Sequence, residues 1–277
     1  IMAVLFLLTV GAIIITVIIL YIIDKRQTAH TVRRNYPVIG RFRYLFEHMG
    51  EFFRQYFFAM DREELPFNRA ERSWAYRAAK NVDSTIAFGS TRSLTPAGSV
   101  LFVNCPFPTL TEDAAEPGEV TLGPYCRHPY KTRSLFNISG MSYGAISKPA
   151  IQALSRGAKK AGCWMNTGEG GVSTYHLESG CDLVYQIGTA KYGVRDSSGH
   201  LSDEKLKAIS DHEQIRMFEI KLSQGAKPGK GGILPGAKVT AEIAAIRGIE
   251  IGEDSISPNG HPDINSVEDL LDMVAHI

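Results

Sequence analysis

The sequence predicts an α/β fold, part of a (β/α)8 TIM barrel preceded by one N-terminal transmembrane helix. Three observations predict it. Residues 1–23 carry no charged side chain, a stretch long enough to span a hydrocarbon core. From Ser134 onward, short apolar runs alternate with stretches of helical length, as in strands joined by crossover helices in a parallel sheet. Glycines and polar residues gather just after those runs, at the strand ends where barrels build their sites.

The chain has 277 residues, 44% hydrophobic and 21% charged, enough for one sizeable domain with additions. A net charge of +1 points away from nucleic acid as a partner. Cys105, Cys126, Cys163 and Cys181 are widely spaced and form no Cys-x-x-Cys pair, so neither a zinc site nor a disulfide framework is expected. No other metal-ligand spacing stands out.

A signal peptide has a shorter apolar core and a small-residue cleavage site, so residues 1–23 read as a retained anchor. Lys25, Arg26, Arg33, Arg34, Arg41 and Arg43 follow, against few acids. The positive-inside rule then makes this a single-pass protein of the cell membrane with everything after residue 24 in the cytoplasm. Residues 24–84 read as a juxtamembrane helical segment, interrupted by Pro66. Its aromatics, from Tyr44 to Phe58, suit either a membrane surface or packing on the main domain, and periodicity does not separate the two. Residues 85–131, rich in proline and glycine, read as an extended lead-in to the barrel.

Residues 132–277 are read as the N-terminal part of the barrel. Leu135–Ile138 is a strand, followed by a glycine-bearing turn at 140–146. Ser147 is the N-cap of a helix over 148–161, with Pro149 in the first turn, where proline is tolerated. Cys163–Asn166 is the next strand and runs into the loop Thr167–Gly171. Leu183–Ile187 is a third strand, with a short helix over 203–210 after it. A strand over 217–222 then enters a loop of about a dozen residues, against the few that such connections usually need. That loop carries four or more glycines with Lys227 and Lys230, and a helix over 237–247 follows. Strand, cationic glycine loop and helix together suit an anion. Residues 254–258 form another strand and turn, and Ser266 caps a final helix. His176 and His261 have no partner pattern and read as ordinary polar residues. A whole barrel takes about 250 residues, so a C-terminally truncated chain is expected; a small doubly wound sheet is the alternative. The first residue is Ile rather than Met, so the N-terminus is expected to be incomplete.

Three stretches carry a resemblance: Gly140-Met141-Ser142-Tyr143-Gly144-Ala145-Ile146-Ser147, Asn166-Thr167-Gly168-Glu169-Gly170-Gly171, and Glu219 to Gly236. In order and spacing they are similar to the FMN-binding synthase domain of glutamate synthases, over about residues 85–277, and most of all to membrane-anchored stand-alone relatives. The resemblance implies FMN as cofactor, with Ser142, Gly144, Asn166, Gln186, Lys191 and Gln224 around it. It implies Glu169 and Lys227 at the reacting centre, and Lys221, Gly236 and Arg247 on a 2-oxo acid. Lys191 stands where the family has an arginine and lacks the bidentate fork. Lys230 and Ile233 replace a glutamate and a glutamine.

The implied reaction is reductive amination of 2-oxoglutarate to glutamate, an oxidoreductase chemistry acting on CH–NH2 donors. The family's glutaminase domain has no counterpart at the N-terminus, so ammonia would come from solution or from a donor protein. The family's iron–sulfur cysteines would lie beyond residue 277, as would the phosphate-gripping end of the barrel, so this chain alone is expected to hold FMN weakly. An electron-donor protein is a further implied partner. An FMN oxidoreductase acting on another amino or keto acid, and a non-catalytic binding protein on the same fold, are the alternatives. Arg247 reads equally as a solvated cation at a helix C-terminus.

Overall fold

The structure is a computed structural model that describes residues 1–82 and 93–277. Residues 83–92, the end of the expected juxtamembrane segment and the start of the lead-in, lie outside the described residues. Two compact units emerge, Ile1–Asn104 and Cys105–Ile277.

In the first unit, α1 (Met2–Arg26) is one 25-residue helix with a mean hydropathy of 3.0 over its most apolar window, long and apolar enough to cross a membrane. Next come α2 (Thr31–Asn35) and α3 (Ile39–Phe53), which runs into a π-helical turn at Arg54–Phe58. A fourth helix, α4 (Arg69–Ala79), follows after Pro66 and starts on an Asn68–Glu71 capping box. The N-cap residue of α3 is Val38, which has no side-chain acceptor. Asp24 supplies one from α1: its carboxylate accepts from Val38 N at 2.9 Å and takes Arg41 in a fork at 2.9 and 2.7 Å. One buried carboxylate thus caps α3 and clasps it to the end of α1.

The second unit opens with an antiparallel pair, β1 (Val120–Leu122) and β2 (Tyr130–Thr132). Then come α5 (Lys148–Ala161), β3 (Met165–Asn166), α6 (Thr174–Leu177), β4 (Leu183–Ile187), α7 (Asp203–Ser210) and β5 (Ile215–Ile220). The strands pair parallel in the order β3-β4-β5. Ile138 extends that order by a single parallel bridge to Met165. After β5 come β6 (Gly232–Leu234), α8 (Ala241–Arg247), β7 (Ser255–Ser257) and α9 (Val267–His276). Three clusters fill the interior: Ile151, Met165 and Leu183 in one, Tyr185, Ile187 and Val194 in the second, and Leu234, Val239 and Ile243 in the third. Each such side chain contributes about 1.5–3 kcal/mol on burial.

Helix 148–161 and strand 183–187 stand as expected, and Gly162 ends the helix at φ +65°. Other expectations are corrected. The sheets are small and open, so the structure is mixed α/β without a closed barrel. Leu135–Ile138 is no strand beyond Ile138, because Asn137 Oδ1 accepts from Trp164 N at 3.2 Å in place of a ladder bond. The strand expected over 217–222 spans Ile215–Ile220, which leaves Lys221 just past the ladder. The helix expected over 237–247 begins at Ala241; Gly236–Lys238 is a 3₁₀ turn and Thr240 is the cap. The glycine loop contains β6, whose partner is β7, antiparallel. The strand expected at 254–258 therefore folds back on the loop instead of extending the parallel sheet.

Candidate active site

Parallel strands end on one edge of their sheet. That edge receives Gly140 after the Ile138 bridge, Asn166 at the end of β3, Gln186 near the end of β4 and Lys221 after β5. The sequence scatters these residues over some 80 positions. Only strand order brings them together.

Glu169 is the hub. Its Oε2 accepts from Lys221 Nζ at 2.9 Å and from Gln224 Nε2 at 2.6 Å. Lys221 also donates to Gln224 Oε1 at 2.8 Å, closing a three-membered network. Gln224 Nε2 reaches Thr189 Oγ1 at 3.2 Å, and Thr189 in turn donates to Pro258 O at 2.6 Å. The Glu169–Lys221 pair is part-buried, with 20% and 29% of the two side chains exposed. The ammonium has spent two N–H bonds and keeps a third for a ligand.

Strand β7 adds a second charge to this region. Ser255 and Ser257 are two apart on the strand, so they share a face. Ser255 Oγ accepts from Arg247 Nη1 at 2.9 Å, while Ser257 Oγ donates to Glu169 Oε1 at 3.4 Å. Arg247 is 4% exposed. Its Nη2 donates to Tyr143 O at 3.4 Å, its guanidinium lies 5.2 Å from the Tyr192 ring centre, and its Nε has no partner among the described residues. Burial pushes its pKa down, with the Tyr192 and Glu169 charges acting the other way. A solvated helix-end cation would show none of this. No described carboxylate bonds this buried guanidinium.

The two glycine motifs are packed against each other. A Cβ on Gly168 would stand 2.6 Å from Ser142 N, and one on Gly170 would stand 3.0 Å from both Ser142 Cβ and Arg247 Nη2. A Cβ on Gly140 would crowd Asn166 Oδ1 at 3.3 Å and Gln186 Nε2 at 3.4 Å. Gly144, at φ +97°, has Ile243 and Leu234 beside it. Asn166 is buried and its Oδ1 accepts from Gly168 N at 2.9 Å; no described residue accepts from its Nδ2. Gln186 Nε2 bonds Glu219 on the neighbouring strand.

Two histidines that carried no sequence signal hold this arrangement. His176 is fully buried. Ser173 N donates to its Nδ1 at 3.1 Å, so Nε2 carries the proton and donates to Met141 O at 2.9 Å. His261 Nε2 donates to Lys221 O at 2.9 Å. Burial lowers the pKa of both rings, against the raising effect of the carbonyl each one bonds. The unfolded chain therefore binds protons more readily than the folded one. Stability should be full above pH ~6.5 and fall as pH drops below it toward the depressed folded values. Denaturation midpoints at pH 7.5 and 5.5 test this. His176→Gln, less stable throughout, should lose less than wild type over that interval; an equal loss would remove His176 as a source.

The remaining sequence-derived residues stand apart from the Glu169 network. Lys227 is exposed, and its ammonium bonds no described residue. Lys191 is buried at φ +51° and directs its ammonium to Asp263 Oδ1 at 2.6 Å. Gly236 permits a close approach, but to its own chain: a Cβ there would overlap the carbonyl of Gly252, and its N–H goes to Asp254 at 2.7 Å. Thr189, Ser255 and Ser257 belong to the network and were missed, since serine and threonine in short polar runs carry no distinctive spacing.

A sheet edge lined by a part-buried carboxylate–amine–amide network, beside a buried guanidinium whose Nε has no partner among the described residues, has the character of a small-molecule site of enzyme type. A family model described as the conserved region in glutamate synthase matches residues 109–277. The glutamate synthase large subunit-like protein YerD of Bacillus subtilis is 36% identical over 307 residues, covering 96% of this chain and 58% of its own length. The archaeal-type glutamate synthase [NADPH] of Thermotoga maritima is 42% identical over 136 residues, 49% of this chain and 24% of that protein. The archaeal glutamate synthase [NADPH] of Methanocaldococcus jannaschii is 42% identical over 137 residues, 50% of this chain and 24% of that protein. The chain belongs to the glutamate synthase family, and it spans less than two thirds of the length of each of these relatives.

Proposed function

We propose that this chain is part of a membrane-anchored, FMN-dependent oxidoreductase of glutamate synthase type. It would convert 2-oxoglutarate and ammonia to glutamate, with electrons and ammonia arriving from other proteins or from solution. The observation that carries the reading is the presence of a fixed ammonium at Lys221 and a buried guanidinium at Arg247 on the two sides of Glu169, the latter with its Nε unpartnered among the described residues. A dicarboxylate needs two such cations. The parallel strands are read as the first of a barrel, residues 24–84 as a cytoplasmic juxtamembrane segment, 85–131 as its lead-in and 132–277 as its catalytic part.

The residues present fit the ring side of a flavin. Asn166 offers an unspent amide N–H beside the Gly140 turn, and Gln186 stands next to it. Ser142, Gly144 and Lys191 would frame that position, and Gln224 would orient Glu169 toward it. Reduced FMN, when bound, supplies the hydride. Lys221 and Arg247 would hold the carboxylates of the 2-imino acid, formed in solution or on the surface from keto acid and ammonia. Glu169, fixed in position by hydrogen bonds from Lys221 and Gln224, would exchange a proton with the substrate nitrogen. Lys227 would join only after a movement of its loop, and Gly236 would shape the wall behind the substrate.

Asn166→Ala in the full-length protein should keep the fold and lower flavin occupancy, read from the visible absorbance of the purified protein. Wild-type protein that never takes up FMN on reconstitution would refute the proposal. Turnover with 2-oxoglutarate plus ammonia, compared with other keto acids, decides the substrate.

A further inference from the structure

The juxtamembrane helix has a feature that the catalytic reading does not use. In α3, Phe42, Leu45, Phe46, Met49, Phe52 and Phe53 are all exposed. At about 100° per residue they fall on one face, following the i, i+3, i+4, i+7 rule. Arg43, Glu47, His48 and Glu51 occupy the opposite face, where Arg43 and Glu47 pair at 2.8 Å. The helix is thus apolar on one side, where Phe52 and Phe53 touch the Tyr56 and Phe57 rings of the turn that continues it while Phe42, Leu45 and Phe46 stay at least half exposed, and polar on the other.

We propose that α3 lies in the headgroup–acyl boundary of an anionic bilayer, its aromatic face turned into the lipid. This rests on α1 being the membrane anchor. Three observations favour lipid over a protein partner. The Asp24 clasp joins the start of α3 to the end of α1, so α3 begins where the anchor leaves the hydrocarbon. A Cβ on Gly40 would stand 2.9 Å from Val32 O, so the α2–α3 corner is close-packed and has little freedom to swing away. Basic residues dominate the same stretch: Lys25, Arg26, Arg33 and Arg34 remain apart from Arg41, which neutralises Asp24, and Arg43, which pairs with Glu47. Phe and Leu on one face with arginines flanking it is the composition of an interfacial helix, and the basic cluster matches an anionic leaflet.

The test uses the full-length protein in vesicles of phosphatidylcholine and phosphatidylglycerol, with Trp74, Trp164 and every tryptophan outside the present sequence replaced by Phe. A single tryptophan is introduced as Phe46→Trp or as Glu47→Trp. Lipids brominated at a shallow acyl position should quench Phe46→Trp roughly twofold or more strongly than Glu47→Trp, since the helix buries only its apolar face. Equal quenching at both positions overturns the inference. So does a Phe46→Trp emission already blue-shifted in detergent and unquenched in vesicles, which would place a protein surface on this face. Alkaline carbonate extraction, run in parallel, separates the two readings. A chain that resists extraction but shows no contrast keeps its anchor and loses the interfacial helix. A chain that is extracted yet shows the contrast loses the anchor and keeps the interfacial helix.

Discussion

Lys221→Met should lower kcat/KM for a 2-oxo dicarboxylate by roughly tenfold to a hundredfold or more while FMN stays bound. A hydrogen bond to a charged group contributes about 1.5–3 kcal/mol, and each 1.36 kcal/mol of lost transition-state stabilisation is a factor of ten. The structure sharpens the expectation. Lys221 holds Glu169 and Gln224 through two hydrogen bonds, so its loss also strands a part-buried carboxylate. The defect should therefore appear in kcat as well as KM. Arg247→Met should raise KM with a smaller change in kcat, because Arg247 bonds Ser255 and Tyr143 and not the Glu169 network. Steady-state kinetics on flavin-loaded protein reads both. An unchanged kcat/KM with flavin retained would take Lys221 out of the site and favour the alternative of a different substrate.

Gly231→Ala should be the most damaging single-methyl change in the glycine loop. Gly231 sits at φ +75°, which costs an L-residue about 1–2 kcal/mol, and a Cβ there would overlap the carbonyl oxygen of Ser257. Overpacking against backbone adds about 1–3 kcal/mol more. Gly229 provides the control. It has nearly the same φ, +76°, but nothing within 4 Å of a built Cβ, so Gly229→Ala should show only the first cost. The difference should reach several degrees in Tm, at about 2–4 °C per kcal/mol for a chain of this size. The effect should also spread to chemistry, because Ser257 is the residue that β7 presents to Glu169. Equal Tm losses in the two variants would mean that the β6–β7 pairing yields at little cost, and with it the stacking of Ser255 and Ser257 behind the site.

Some of this was written in local sequence. An unbroken apolar run needs no partner to be read as a long helix, and α1 extends only three residues past the last apolar one. Helix α5 has proline in its first turn and glycine at its end, so it was legible to the residue. Strand β4 is five apolar or half-buried residues between turns and was equally plain. The three motifs marked Asn166, Glu169, Lys221 and Gln224, and the last three of these close one hydrogen-bonded network at the sheet edge.

What failed did so where pairing outweighs propensity. A loop dense in glycine reads as irregular, yet Gly232–Leu234 has a strand partner 23 residues away and takes a strand conformation from it. Leu135–Ile138 reads as a strand, yet a side-chain amide replaces its ladder. The two histidines gave no signal because their partners are backbone carbonyls, at Met141 and Lys221, and a carbonyl has no residue identity to search for. The sequence by itself determined the apolar helix, the alternation of strand and helix, the family and the residue types at the site. Only the tertiary structure decided that Arg247 is buried with its Nε unpartnered among the described residues, that Lys191 is committed to Asp263, and that Lys227 stands apart from Glu169. Burial and partnership are properties of contacts between distant segments, and no local periodicity encodes which of several cations those contacts will leave unpaired.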